Sequence, residues 1–143
     1  MIRSASLALS LAAITGSVPA QCSTLTITGT GAPGTTLTAH LDGSSAHALA
    51  VLVVGSTQGV TPIDLGPLGT LTLGVEPQFF VPLGLTNAAG DLSRSTSVPD
   101  VVPDVPGLDL FGQAATLSCT LTSVPSIIWT LCASNVVGFH FGN

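Results

Sequence analysis

The pattern of apolar and polar residues after the first twenty positions is that of β-strands. The longest nearly unbroken apolar run in this part is residues 46–55 (AHALAVLVVG), whose β-branched valines and terminal glycine favour a strand. Because the run is apolar without alternation, we expect this strand to be buried on both faces. Shorter segments such as Thr24–Thr28 alternate, which is the pattern of strands with one buried face.

Further segments also have the pattern of strands, and none has a sustained helical period. A proline-rich stretch at 99–107 predicts an extended crossover, because its prolines exclude a helix and a central strand. About eight strands separated by turns predict an all-β fold, an antiparallel β-sandwich or jelly-roll-like domain. The predicted strands are residues 24–28, 35–41, 46–55, 70–75, 79–85, 92–98, 108–121 and 127–141, with a short edge segment at 62–65.

Residues 1–20 have the pattern of a cleaved signal peptide. Arg3 precedes an apolar stretch at 7–14, and Val18-Pro19-Ala20 ends in a small residue suited to cleavage. The apolar stretch is shorter than the roughly 20 residues that a transmembrane helix needs, so no transmembrane segment is expected. The sequence therefore predicts a signal peptide at 1–20 and a single β-sandwich domain at 21–143. The expected location is secreted or extracellular, with the periplasm as the alternative.

Gly43-Ser44 matches the two central residues of a type II′ β-hairpin turn. A hairpin at this point places His40 opposite His47 on neighbouring strands, with Asp42 on the same face. Two imidazoles and one carboxylate are a possible metal-ligand set. The preferred interpretation is an exposed cross-strand pair without a metal, since no further residues would orient the ligands. No cofactor is expected.

The three cysteines allow one disulfide and one remaining thiol. A two-residue turn at Pro125-Ser126 places Cys119 opposite Cys132 in a non-hydrogen-bonded pair, where Cα atoms lie closest. The alternative bridge, Cys22–Cys132, ties the start of the mature chain to the last strand, and a bulge near 134–135 would favour it. Spacing alone does not decide between the two. Cys132 takes part in both, so we expect it to be oxidised in an exported chain.

Charge is scarce in this chain. It has no lysine, and removal of the signal peptide leaves Arg94 as the one strong cation beside seven acidic residues. Nucleic-acid binding is therefore not expected, because neutralising phosphates requires clustered lysine and arginine. A surface of threonine, serine, glycine and small apolar groups instead predicts self-association, or adhesion to a polymer or protein of the cell surface.

Phe80 and Trp129 are the aromatic residues expected to face outward. A flat ring on a sandwich face can stack on sugars, so carbohydrate binding is the alternative function. A structural role for both rings is the preferred interpretation, because the chain has no tyrosine to widen a sugar platform. The acidic residues fall mostly in predicted turns, and no nucleophile motif lies in a strand–turn–helix context. The chain is therefore expected to be non-enzymatic.

Several motifs in order resemble those of one group of domains. They are TLTAHLDG, the apolar strand ending in VVG, DLGPLG, NAAGD, the proline-rich crossover, LFGQ and SNVVGFHFG. With them, the mature chain resembles small secreted β-sandwich domains that are common in planctomycete exported proteins. The resemblance implies fold and export, and it brings no catalytic residues. The sequence thus predicts a secreted, non-catalytic structural or interaction domain.

Overall fold

The computed structural model describes residues 22–100, 107–121 and 127–142. The predicted signal peptide, most of the proline-rich crossover and the predicted turn at Pro125-Ser126 lie outside these ranges. The described residues form nine β-strands and one short 3₁₀ helix. The strands are β1 Thr24–Thr28, β2 Thr36–Asp42, β3 Leu49–Gly55, β4 Gln58–Asp64, β5 Thr70–Val75, β6 Phe79–Leu85, β7 Leu92–Ser97, β8 Leu108–Leu121 and β9 Ile127–Phe141, and the 3₁₀ helix is Gly66–Leu68.

All the strand pairs are antiparallel and form three sheets, which confirms the predicted all-β class. The first sheet has the order β1-β2-β7 and the central sheet the order β6-β3-β8-β9. Strands β4 and β5 pair only with each other and form the hairpin sheet. In the described part of the chain, no helix is long and apolar enough to cross a membrane.

One core lies between the first sheet and the central sheet. Leu25 and Leu41 of the first sheet pack against Ala50, Leu52 and Val54 of β3, and all five are buried. The β3 residues alternate along the strand, so they project from one face of the central sheet. The inward positions that the alternation of β1 and β2 predicted are thus confirmed at Leu25 and Leu41.

A second core lies on the opposite face of the same central sheet. Val53 of β3 and Ala133 of β9 pack there against Leu71 and Leu73 of β5, and all four are buried. Strand β3 therefore carries a core on each face, as its unbroken apolar sequence predicted. The hairpin sheet adds a third layer to the expected two-layer sandwich.

The predicted hairpin at Gly43-Ser44 is wrong. Strand β2 pairs with β1 and β7, whereas β3 pairs with β6 and β8, so the connection between β2 and β3 crosses from one sheet to another. The crossing places Leu41 of β2 and Leu52 of β3 in the same core between the two sheets, and burial of apolar side chains from water favours such an arrangement.

Residues 86–91 hold this crossing in place. Thr86 is buried; its hydroxyl donates to the Ser45 carbonyl at 2.6 Å and accepts from the Ala48 N–H at 2.8 Å. The Ser44 N–H donates to the Gly90 carbonyl at 3.1 Å. Gly90 has φ +83°, and a Cβ there would collide with the Ser44 carbonyl, so only glycine fits this close approach.

Candidate functional site

The disulfide joins Cys22 to Cys132, with Cα atoms 5.9 Å apart. This distance lies inside the usual range of about 4.4–6.8 Å for bridged cysteines. Of the two pairings that the sequence left open, Cys22–Cys132 is confirmed and Cys119–Cys132 is wrong. Cys119 is a free, exposed thiol. The bridge fastens the segment before β1 to β9, at a point where the Cys22 N–H also donates to the Ala133 carbonyl at 3.4 Å.

The register of β8 and β9 explains the error. Cys119 lies opposite Trp129 and Cys132 lies opposite Thr116, three residues away from the predicted pairing. Leu121 pairs with Ile127, so residues 122–126 connect the two strands, and this connection is longer than a two-residue turn. The register also shifts between Gln113 and Ala115, which are paired with Val136 and Ala133.

The extra residue in β9 is a bulge at 134–135, the position that the alternative bridge required. The Ala114 N–H donates to the Ser134 hydroxyl at 2.9 Å, which replaces a lost ladder bond. The bulge directs Asn135 toward β1, where its Oδ1 accepts from the Leu25 N–H at 2.7 Å and its Nδ2 donates to the Leu25 carbonyl at 3.1 Å. The Asn135 amide thus satisfies the N–H and the carbonyl of Leu25, as a neighbouring strand would, at a point close to the disulfide.

The structure does not bring His40 and His47 together across a hairpin. His40 lies on β2 opposite Thr26 of β1 and Ser93 of β7, while His47 lies in the connection to β3 with φ +53°. Across the described ranges, no group of three or more histidine, cysteine, aspartate or glutamate residues could hold a metal ion. The metal hypothesis for His40, His47 and Asp42 loses its geometric basis, because it depended on the hairpin.

Asp42 has a different neighbour, Asp91. Leu41 pairs with Leu92; Asp42 follows Leu41 at the end of β2, and Asp91 precedes Leu92 just before β7 begins. A hydrogen bond to Asp91 and the repulsion of its charge raise the pKa of Asp42 above its ordinary value. The same hydrogen bond lowers the pKa of Asp91, which also accepts from the Gly43 N–H at 3.3 Å. The hydrogen bond between the two carboxyls requires a proton, which Asp42 carries only below its raised pKa. Asp42 is exposed and Asp91 is half-buried.

His140 and Asp109 form a second pair of titratable groups, on opposite residues of β9 and β8. Their side chains are 2.9 Å apart, between Nδ1 and Oδ1, and both are exposed. A histidine oriented by a carboxylate is two parts of a hydrolytic triad. The shallow depression around them is lined by Leu110, Phe111, Gly138 and Phe139, none of which carries a hydroxyl or thiol. This site offers a proton acceptor without a nucleophile beside it.

Phe80 and Trp129 are both exposed, at 59% and 48% of their surface. Phe80 lies on β6 opposite Val53, whose other neighbour on β8 is Gln113, whereas Trp129 lies opposite Cys119. The row of paired residues with Phe80 crosses β8 at Gln113, and the row with Trp129 crosses β8 at Cys119. These two positions are six residues apart along the strand, which is about 20 Å. The rings therefore belong to separate surfaces and do not form one platform.

Trp129 is part of a row of paired apolar residues on the face of β8 and β9 that is turned toward the hairpin sheet. We call this row the apolar ladder. Its inner pairs pack against the second core or line the cavity beside it, and its outer pairs extend past Leu117, where the pairing with β3 ends. The pairs are Ala115–Ala133, Leu117–Leu131, Cys119–Trp129 and Leu121–Ile127.

The outer pairs of the ladder are uncovered. Leu121 is 77% exposed and Ile127 54%, and Ile128 on the opposite face is 53% exposed. The sequence from residue 110 to residue 139 contains no charged side chain. The paired ends of β8 and β9 therefore form a two-stranded ribbon with a neutral, apolar, exposed surface.

An apolar cavity of about 390 Å³ lies between the hairpin sheet and the central sheet. We call it the interlayer cavity. Five strands contribute to its walls: Val51 and Val53 of β3, Ile63 of β4, Leu71 and Leu73 of β5, Ala115, Thr116 and Leu117 of β8, and Leu131 of β9. The residues at its mouth are Leu49, Leu65, Leu68 and Phe80.

A smaller cavity of about 200 Å³ lies between the first sheet and the central sheet, and it differs in charge. Arg94 of β7 lines it together with apolar residues that include Ile27, Leu37 and Phe139. Arg94 is exposed, and its aliphatic stem can cover the apolar lining while the guanidinium group stays in solvent.

Comparison with protein-family models, with curated proteins and with solved structures finds no match for this chain. The sites therefore rest on their geometry. Sequence reasoning identified Phe80, Trp129 and Cys132. It missed the apolar ladder, although the unbroken absence of charge from residue 110 to residue 139 was a signal for it. It also missed the interlayer cavity, which depends on a layer that was not expected.

Proposed function

We propose that this protein is a secreted, non-catalytic interaction domain that self-associates through the outer pairs of its apolar ladder. The observation that carries the proposal is the exposure of Leu121, Ile127 and Trp129 together on one face of β8 and β9. Soluble monomers rarely expose contiguous apolar surface of this kind, and such surfaces are typical of protein–protein contacts.

The distribution of charge supports a second copy as the partner. The whole chain is acidic, with a formal net charge of −5, so two copies repel each other at most orientations. The outer ladder lies within the uncharged segment 110–139, where this repulsion is weakest. A single patch that meets its own copy across a two-fold axis also needs no second complementary surface.

The edge of β9 adds a second source of attraction. Strand β9 is the last strand of the central sheet, and residues 127–131 (IIWTL) carry neither charge nor proline. Native proteins protect such edges with charge, proline or a covering element. Asn135 and the disulfide occupy the edge near β1, but the segment before Cys132 is paired only with β8 among the described strands.

Secretion is part of the proposal and is supported by the disulfide. A bridge between Cys22 and Cys132 is stable in an oxidising compartment and rare in the reducing cytosol. The predicted signal peptide and the scarcity of charge fit the same location.

Sedimentation of the mature chain tests self-association. All proteins in the experiment carry Cys119→Ser, so that no covalent dimer is counted. We expect Trp129→Ser to raise the dimer dissociation constant at least tenfold, since a central aromatic residue is often worth more than about 1.4 kcal/mol at an interface. The matched control is Phe80→Ser, which removes an equally exposed ring from another strand. A chain that stays monomeric at millimolar concentration, or an equal effect of the two variants, contradicts the proposal.

The second candidate function is carbohydrate binding, favoured by the exposure of both rings. Because Phe80 and Trp129 lie on separate surfaces, a polysaccharide would stack on one of them at a time. Binding to insoluble polysaccharide that is lost in only one of the two serine variants, without loss of fold, would support this function. The absence of any binding to a glycan array would remove it.

A further inference from the structure

The interlayer cavity has the size and chemistry of a ligand site that differs from the self-association surface. Its volume of about 390 Å³ falls at the lower part of the range of about 300–1,000 Å³ that is usual for small-molecule sites. Packing defects in protein cores are far smaller, since few voids exceed a water molecule. This volume therefore calls for an occupant.

The walls determine which occupant is suitable. Thr116 is the one lining residue with a polar side chain, and it is buried. No lysine, arginine, histidine, aspartate or glutamate lines this cavity within the described part of the chain. A charged group moved into such a site loses its hydration without gaining a partner, so the cavity disfavours charged ligands.

The cavity is accessible from outside. Its mouth is formed by Leu49, Leu65 and Phe80, which are 47%, 37% and 59% exposed. The layer that covers it is a two-stranded hairpin, and such hairpins are only marginally stable without packing against another element. A ligand that fills the space would supply that packing.

We propose that the interlayer cavity binds a neutral, apolar small molecule. The three properties above carry the proposal: sufficient volume, an uncharged apolar wall and an open mouth. The Cys22–Cys132 bridge and the outer ladder take no part in it. The binding is expected to be driven by burial of the hydrocarbon surface of the ligand against β3, β5 and β8.

Binding is measured with the mature chain and diphenylhexatriene, an uncharged hydrocarbon that fluoresces in apolar surroundings. Saturation at one molecule per chain is expected. Ala115→Phe, which fills the cavity from β8, should weaken the affinity at least tenfold. Val51→Phe fills the cavity from β3 and should have the same effect, so it serves as the test if the first variant does not fold. Trp129→Ser and Arg94→Gln are the matched controls. The first removes the aromatic ring of the outer ladder and the second removes the cation of the smaller cavity, and neither residue lines the interlayer cavity. They should leave the affinity unchanged.

The charge of the ligand is tested by displacement of the probe with dodecanol and with dodecanoate at pH 7. The two competitors share one chain and differ in the carboxylate, so dodecanol should displace the probe at concentrations at least tenfold lower. Leu65→Arg adds a cation at the mouth and should narrow that difference by about two- to fivefold.

Three results would overturn the proposal. The first is probe binding that persists in both Ala115→Phe and Val51→Phe, and the second is binding that is lost in Trp129→Ser, which would assign the probe to the outer ladder. The third is stronger displacement by dodecanoate that disappears in Arg94→Gln, which would assign the ligand site to the smaller cavity.

Discussion

At the scale of single residues, Asp42 and Asp91 form the most unusual contact in the described structure. Directly opposed like charges destabilise a strand pair, yet these two carboxyls close the pairing of β2 with β7. Below the raised pKa of Asp42, a proton on its carboxyl reduces the repulsion, because that carboxyl then donates to the carboxylate of Asp91. This arrangement makes the local stability depend on pH.

The direction of that dependence follows from the pKa shifts. The folded state raises the pKa of Asp42, so it binds this proton more tightly than the unfolded chain does. Its contribution to stability is present at low pH and is lost as the pH rises through the raised pKa. The lowered pKa of Asp91 acts in the opposite sense, and its contribution is lost only when the pH falls through the lowered value.

We therefore expect Asp42→Asn to raise the melting temperature at pH 7, because the amide donates to Asp91 without a second negative charge. The gain should shrink toward pH 3, where Asp42 of the unsubstituted protein carries its proton. Thermal unfolding at both pH values measures the effect. Glu76→Gln is the control, since it removes the same charge at a site outside the pair. A variant that is no more stable than the unsubstituted protein at pH 7 contradicts this interpretation.

At this scale, the sequence predicts the burial of a side chain correctly where burial depends only on alternation along the residue's own strand. Leu71, Leu73 and Val75 were expected to face inward from alternation alone, and all three are buried. The contact between Asp42 and Asp91 depends on which strand lies beside β2. That neighbour comes about fifty residues later in the chain, and no local pattern identifies it.

At the scale of elements, the side chain of Gln113 on β8 links the hairpin sheet to the central sheet. It is buried; its Oε1 accepts from the Gly74 N–H of β5 at 2.8 Å, and its Nε2 donates to the Ser134 carbonyl at the bulge of β9 at 2.7 Å. One side chain therefore satisfies two backbone groups that the bulge and the hairpin sheet leave without strand partners. It fixes the third layer on the central sheet.

We expect Gln113→Leu to destabilise the fold by about 2–5 kcal/mol, because two buried backbone groups would each lose a partner at about 1–3 kcal/mol. Urea unfolding followed by far-UV circular dichroism measures the loss. The matched control is Gln78→Leu, since Gln78 makes one exposed hydrogen bond to Ser56 and should change stability by less than about 0.5 kcal/mol. Equal effects of the two substitutions would show that the bridge between layers is not important.

Strand bounds were predicted better than strand pairing. Strands β8 and β9 span Leu108–Leu121 and Ile127–Phe141, as the sequence predicted. Their predicted register at Cys119 and Cys132 was wrong by three residues, because the connection between Leu121 and Ile127 is longer than the expected two-residue turn, and its length does not alter the apolar pattern. For this reason the Cys119–Cys132 pairing failed while both strands were correct.

At the scale of the whole molecule, the central sheet is a shared wall between two cores. The first sheet covers one face and the hairpin sheet the other. Alternation in β5 predicted that it has one buried face, but it did not indicate which surface that face meets. For β4, Gln58–Asp64, the sequence predicted only a short edge segment at 62–65. The third layer and the interlayer cavity follow from this packing, and neither could be derived from the sequence pattern. The outer ladder had a signal in the uncharged segment 110–139, but its lack of cover depends on the packing.

The Cys22–Cys132 bridge acts at the same scale, because it links the start of the first sheet to the last strand of the central sheet. It closes a loop with a sequence separation of 110 residues. In the chain-entropy description, closing about 100 residues removes conformational freedom from the unfolded chain worth roughly 4–5 kcal/mol. Native domains have a total stability of only about 5–15 kcal/mol, so this one bond is a large share of it.

We expect Cys132→Ser to lower the free energy of unfolding by about 2–5 kcal/mol, as measured by urea denaturation without reductant. Cys119→Ser is the matched control and should change it by less than about 0.5 kcal/mol, because this thiol is exposed and unbridged. Alkylation of the denatured chain without reductant should label one thiol, and peptide mapping should place it at Cys119. Labelling of Cys22, or a loss of stability in Cys119→Ser equal to that in Cys132→Ser, would restore the hairpin bridge between β8 and β9. Labelling of all three cysteines would show that the two sheets are held by packing and hydrogen bonds alone.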